Sequence, residues 1–161
     1  MPPSTCSPES AGGSSPRTLG DLLCFSIYSA NHAFNRAYKP LLEGLGLTYP
    51  QFLVMMVLWE EDDQTVGGLG QRLGLESNTL TPLVKRLEAM ELVARRRDAA
   101  DERQVRVKLT DKGAEMRKAG QAIPECLGGA AGLDLAEIRD LKRRLGDLQQ
   151  ALEKATASLT A

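Results

Sequence analysis

Cys24 is the residue of this chain most readily turned to chemistry, and the tyrosines are spaced behind it. They stand 4, 14 and 25 residues later, as Tyr28, Tyr38 and Tyr49, and they are all the tyrosines of the chain. Cys24 and Tyr38 fall on one helical stretch. At 100° per residue they share nearly one face, and at 1.5 Å per residue they lie about 21 Å apart. Tyr38 of the same continuous helix therefore cannot reach the thiol. Tyr38 of a second copy can, if two such helices pack antiparallel across a two-fold axis. A phenol donating to sulfur favours thiolate over thiol. A thiolate attacks the O–O bond of a peroxide and becomes a sulfenic acid. Phe25, Ile27 and Phe34 would give that thiol an apolar surround suited to organic hydroperoxides. The plainer reading is an inert buried thiol among ordinary core aromatics.

The chain has two further cysteines, Cys6 and Cys126. An odd number argues against a structural disulfide framework. One histidine, His32, and no Cys-x-x-Cys pair argue against a zinc site, and no metal or cofactor is expected. Cys126 falls in Pro124 to Gly132, PECLGGAAG, which is expected to break or loosen a helix and let the thiol move.

The elements that must position this chemistry carry a second function. Leu75 to Met90, LESNTLTPLVKRLEAM, reads as an amphipathic helix capped by Ser77. Leu80, Leu83, Val84 and Leu87 form its apolar stripe. Asn78, Thr79, Thr81, Lys85 and Arg86 form its polar face. Thr65 to Gly74 reads as a shorter helix stopped by Gly74. Two short helices across a tight glycine turn make a helix-turn-helix. Leu92 to Arg97 and Gln104 to Leu109 alternate as two strands around a polar loop, Asp98 to Arg103. A hairpin rich in arginine behind a recognition helix is a wing, placed to reach a minor groove beside the major-groove site. The fold class is therefore mainly α (α+β), a winged helix-turn-helix with a two-stranded wing and a helical dimerisation region. Pro82 is expected to bend the start of the recognition helix.

Around this module, Met1 to Arg17 is rich in Pro, Ser and Gly and reads as a flexible tail containing Cys6. Residues 18–161 then read as a single domain, with the winged module at about 48–110. Dimerisation helices fall at about 18–45 and 110–158. The first runs from a Thr18 cap, apolar on more than one side, and is expected to bend or stop near Pro40. The next runs from a Thr48 cap to Trp59. Glu60 to Gln64, EEDDQ, reads as a solvated connector. Thr110 caps a helix to about Ala122. From Asp134 to Ala157, Ile138, Leu141, Leu145, Leu148 and Leu152 make an a/d seam that suits either the chain's own core or a partner helix.

Net charge is −1, yet charge is sorted along the chain. Ser77 to Lys118 holds 11 Lys and Arg against 7 Asp and Glu, while the remainder holds 9 against 14. The positive part coincides with the proposed helix and wing. No apolar run reaches the roughly 18 residues of a membrane span, and no signal peptide is evident. A cytoplasmic protein with no membrane partner is expected.

Three blocks carry a family resemblance: Leu23 to Glu60, Leu75 to Asp98 and Asp101 to Gly113 (DERQVRVKLTDKG). The chain resembles the winged helix-turn-helix repressors of the MarR family, and within them the organic-hydroperoxide sensors (OhrR type). The resemblance implies a homodimer on palindromic double-stranded operator DNA, with an organic hydroperoxide as inducer and no enzyme activity. Cys24 is then the redox-active thiol, hydrogen-bonded by Tyr38 and Tyr49 of the other subunit, with Tyr28, Phe25 and Phe34 in the pocket. Cys126 would resolve the oxidised thiol as an intersubunit disulfide; a mixed disulfide with a small cellular thiol is the alternative. DNA contacts carry over to Ser77, Asn78, Thr79, Thr81, Lys85 and Arg86, and on the wing to Arg95, Arg97 and Arg103. Asp101 shapes the hairpin by pairing with Arg103. Arg96, Arg106 and Lys108 read as phosphate-facing or solvated. Competing readings are a repressor released by a small phenolic ligand, a thiol peroxidase, and an architectural DNA-binding protein.

Overall fold

The computed structural model describes residues 18–130 and 132–159. The expected tail, with Cys6, lies outside them. A 3-10 turn at Leu19–Asp21 leads into α1 (Leu23–Glu43) and α2 (Tyr49–Glu60). A two-residue strand β1 (Gln64–Thr65) precedes α3 (Val66–Leu73) and α4 (Ser77–Ala89). Strands β2 (Val93–Arg97) and β3 (Val105–Leu109) follow, then α5 (Asp111–Glu115), α6 (Arg117–Ala130) and α7 (Leu135–Leu159). The sheet is antiparallel in the order β1-β3-β2. Val93 pairs with Leu109 and Arg97 with Val105 on one side, and Gln64 pairs with Val107 on the other. This is a winged helix-turn-helix with a third, very short strand. Two residues show no alternation, so β1 had no pattern by which to be foreseen.

Several boundaries differ from those the sequence suggests. Thr18 belongs to the 3-10 turn, where Asp21 Oδ2 accepts from its amide at 3.0 Å. The long helix begins only at Leu23. It is not interrupted at Pro40 but continues to Glu43, and Leu42, 1 % exposed, fixes its last turn in the core. Glu76, not Ser77, is the N-cap of α4, with no side-chain cap bond. Thr48 and Thr110 stand where caps were expected. Gln51 Oε1 accepts from the Thr48 amide at 2.8 Å, and Thr110 Oγ1 accepts from the Gly113 amide at 3.1 Å.

The segment after the wing departs most. A turn at Met116 divides α5 from α6, and α6 runs through Pro124 instead of loosening there. Proline removes one bond, to the carbonyl of Gly120. The turn before the proline is held by packing. Ile123 is buried, and Gly120 lies so close to Trp59 that a Cβ there would come within 2.3 Å of the indole.

Contacts divide the chain into two compact units, Met1–Ala30 with Gly128–Ala161, and Asn31–Leu127. The buried core belongs entirely to the second. Phe52, Met55, Leu58 and Trp59 of α2 meet Leu69 of α3, Leu80, Val84 and Leu87 of α4, and Val93 and Val107 of the sheet. Trp59 Nε1 donates to the Gly113 carbonyl at 2.8 Å, which satisfies the indole inside that core. Among the described residues of the first unit none is buried. No helix among the described residues is long and apolar enough to cross a membrane.

Candidate functional site

The helix-turn-helix is built on a close approach of two backbones. A Cβ at Gly70 would lie 2.7 Å from the Leu75 carbonyl, so glycine lets the turn pass against α3. Gly74 then takes φ +64 and ends α3. With Leu80, Val84 and Leu87 buried, α4 turns Ser77, Asn78, Thr79, Lys85 and Arg86 outward. Thr81 is half-buried. Thr79 Oγ1 donates to Asn78 Oδ1 at 3.1 Å, so the first turn presents a linked pair of polar groups. A cleft of about 340 Å³ opens between α4 and the wing, lined by Ser77, Thr81, Val84, Arg95, Arg103 and Gln104. It brings together four of the residues assigned from sequence to DNA.

The wing arginines are not equivalent. Arg95 turns back to α4: its Nε donates to Glu88 Oε2 at 2.7 Å, and its amide to Oε1 at 3.2 Å. The arginine holds the Glu88 carboxyl below its ordinary range. Arg97 is exposed. Arg103 is 93 % exposed at its side chain and touches Asp101 Oδ1 at 3.2 Å, while Asp101 Oδ2 accepts from Gln104 Nε2 at 3.2 Å. Asp101 is held below the usual carboxylate range chiefly by the Arg103 amide. It therefore shapes the tip more than it neutralises it.

Sequence reasoning missed Glu88, Asp62 and Asp63. The connector before β1 is not simply solvated. Glu60 pairs with Arg72, Asp62 Oδ1 accepts from the Leu109 amide at 2.8 Å, and Asp63 takes Arg96 and Arg106 of the wing. Arg96 and Arg106 are thus paired within the chain, although the Arg96 side chain stays 59 % exposed. The signal was an acidic pair beside an arginine-rich hairpin, but its partners are 33 and 43 residues away.

The residues assigned from sequence to the thiol chemistry fall in both units. Cys24, on α1, and Cys126, on α6, are both free and exposed. Cys24 shares the first unit with Phe25 and Tyr28, whose rings stack at 6.4 Å. In the second unit α1 and α2 bring Tyr38 and Tyr49 together, ring centroids 4.7 Å apart, with Phe52 5.9 Å from Tyr38. Burial raises both phenol pKa values, and the neighbouring Tyr49 raises Tyr38 further. Both therefore keep their protons at neutral pH and can act as donors. Phe34 is exposed at 49 %. Among the described residues no group of three or more His, Cys, Asp or Glu could hold a metal.

Residues 36–119 match the model of the transcriptional regulator SarA/Rot family. The chain is 47 % identical to the HTH-type transcriptional regulator TtmR of Methylorubrum extorquens over 91 % of its own length and 75 % of that protein's. It is 38 % identical to the organic hydroperoxide resistance transcriptional regulator of Bacillus subtilis, over 84 % and 92 %. Its fold is similar to the crystal structure of AbfR of Staphylococcus epidermidis, at a TM-score of 0.71, 40 % identity and 86 % and 94 % coverage. A structure of reduced AbfR bound to DNA matches at 0.73 and one of disulfide-formed AbfR at 0.57. The chain belongs to the MarR family of winged helix-turn-helix transcriptional regulators, which bind DNA.

Proposed function

We propose that this regulator is a redox-sensing repressor whose Cys24 is oxidised by organic hydroperoxides. The observation that carries the reading is the Tyr38–Tyr49 pair, two half-buried phenols kept protonated at one place. In a homodimer with antiparallel α1 helices, they would meet the partner's thiolate and stabilise its charge. The thiolate takes the terminal oxygen of the hydroperoxide. The O–O bond breaks, and the alkoxide leaves as an alcohol after gaining a proton. The Cys126 thiolate of the other subunit then attacks the sulfenic sulfur, forming an S–S bond and releasing the oxygen as water. The new bond shifts the helices that carry the two DNA-reading lobes, and the palindromic operator is released. Support comes from the AbfR structures, one reduced on DNA and one disulfide-formed. The seam of α7 is the second support, because Leu141, Leu145 and Leu152 stay about half exposed in one chain. On the DNA side, Ser77, Asn78, Thr79, Thr81, Lys85 and Arg86 would contact the major groove, and Arg97 and Arg103 the flank.

The test is anisotropy of a duplex selected by the reduced protein from a random pool, at fixed salt. Cumene hydroperoxide should release wild type and leave Cys24→Ser bound, and a non-reducing gel should show a dimer that Cys126→Ser cannot form. Release of Cys24→Ser by peroxide would sink the reading. A cleft of about 460 Å³ beside Tyr49, lined by Asn35, Lys39, Glu43, Leu47 and Thr48, favours a second reading, a small phenolic effector. In that case salicylate-like phenols release wild type and Cys24→Ser alike.

A further inference from the structure

The turn between α2 and β1 is joined to the wing by a chain of ions that contact with DNA does not explain. Arg96 and Arg106 stand directly opposite each other on β2 and β3. Like charges at such a pair destabilise an antiparallel ladder. Asp63 lies between them. Its Oδ1 accepts from Arg106 Nε at 2.9 Å, its Oδ2 from Arg96, and its carbonyl from Arg106 Nη2. Arg106 Nη1 passes on to Asp98 Oδ2 at 3.0 Å. The other oxygen of Asp98 accepts the amides of Ala100 at 2.7 Å and Asp101 at 3.3 Å, which begin the tip turn. Asp63 itself takes φ +57, a conformation a side chain rarely adopts, and Asp62 Oδ1 holds its amide at 2.7 Å. The arginines keep Asp63 ionised to lower pH than usual, Arg106 most of all.

We propose that Asp63 is a positioning residue for DNA binding: it neutralises the Arg96–Arg106 pair and, through Arg106 and Asp98, fixes the wing tip that carries Arg103. The proposal rests on the wing being part of the DNA interface. It has an unusual sign. Simple electrostatics says that deleting an acid beside a basic wing tightens DNA binding. Positioning says the reverse.

The experiment uses the full chain, a duplex selected by wild type from a random pool, and an unselected duplex of equal length. Asp63→Ala should weaken binding to the selected duplex by about tenfold. The unselected duplex should bind equally or more tightly, and the slope of log K against log salt should not become shallower. Amide exchange at Ala100 and Asp101 should quicken by more than any fall in the global melting temperature accounts for. Arg106→Leu should weaken binding comparably, and the double variant should be no worse than either, because both break one chain of contacts. If Asp63→Ala does not fold, Asp63→Asn carries the same test with a smaller loss. Equal or tighter binding of the selected duplex by Asp63→Ala overturns the proposal, and so does a double loss equal to the product of the singles. Failure of the wing reading shows differently. Arg103→Ala then leaves binding unchanged, and the proposal falls with it even where the tip amides loosen.

Discussion

Helices α2 and α7 both carry many apolar residues and meet water in opposite ways. Along α2, Phe52, Val54, Met55, Val57, Leu58 and Trp59 are all buried, and the apolar residues fall on every side. On α7 they form one stripe, and Leu141 and Leu145 are each 46 % exposed and Leu152 57 %. Helix α1 follows α7, with only Leu42 buried. The lobe around α2 completes its core within one chain. The α1 and α7 stripes do not, and apolar area left in water forgoes about 25 cal/mol per Å². One chain therefore contains a finished reading head and unfinished surfaces of the kind a partner helix covers.

The largest effect expected from this contrast lies in the lobe. Leu80→Ala removes a fully buried side chain shared by the recognition helix and the core, at a cost of about 2–5 kcal/mol in urea unfolding. Gly113→Ala should be worse tolerated than its size suggests. The added Cβ would sit 2.0 Å from the Leu92 carbonyl, and the Trp59 bond to Gly113 would be lost as the backbones part. The contrast breaks if Leu80→Ala unfolds at the urea concentration of wild type.

On the seam the expected effect is on association. Leu145→Lys places a charge on an already exposed stripe, so the lobe should keep its fold and its near-UV signal from Trp59. Sedimentation equilibrium should show wild type as a dimer and the variant shifted to monomer. Its melting temperature should stop depending on protein concentration. A variant that remains dimeric would show that the dimer is built elsewhere.

How much of this was legible in the sequence follows the same division. Period and punctuation revealed the helix-turn-helix and the hairpin, because Leu80, Val84 and Leu87 repeat at helical spacing and Val105, Val107 and Leu109 alternate. Gly74 and Thr110 marked ends by local chemistry, which a linear reading sees. What escaped depends on distant partners. Pro124 reads as a breaker until Gly120 is found against Trp59. EEDDQ reads as solvent-facing until Arg96 and Arg106 arrive from the wing. The seam's periodicity was plain, but whether it faced inward or outward was not, since a stripe looks the same in either place. The proximity of Tyr38 and Tyr49 needed the α1–α2 corner to close before it could be seen.

Helix caps sharpen the comparison at a smaller scale. Thr110→Ala removes an acceptor for the Gly113 amide and a donor to the Glu91 carbonyl at 2.6 Å, costing about 1 kcal/mol. That loss should appear in the cooperative unfolding of the lobe. Asp134→Ala removes an oxygen that accepts from Ala136 at 2.7 Å and Glu137 at 2.9 Å, a cap of similar strength. On α7, where none of the described side chains is buried, it should appear first as lost helical circular dichroism at low protein concentration. Ser77→Ala, which removes no cap bond, should leave stability unchanged. Equal effects at Ser77 and Thr110 would return the α4 cap to Ser77.

The smallest effect belongs to the partly buried carboxylates, and it separates long-range ions from local ones. Asp63 is held below its ordinary value of 3.8 chiefly by Arg106 across the wing, and Asp98 first by the Ala100 amide and then by Arg106. On α7, Asp140 is lowered by Arg143 and Arg144, neighbours on the same helix. A folded pKa below the unfolded one stabilises the fold above the unfolded value. That contribution stays intact at neutral pH and fades as pH falls below 3.8 toward the folded value. Carboxyl carbon NMR titration should therefore place all three midpoints under 3.8 in the native protein. Arg106→Leu should raise those of Asp63 and Asp98 together and leave Asp140 where it was. Arg143→Ala should do the converse. If Arg106→Leu moves Asp63 alone, the wing is tied to the α2 turn by separate pairs and not by one connected chain. Asp98 would then be held by the Ala100 and Asp101 amides without help from across the sheet.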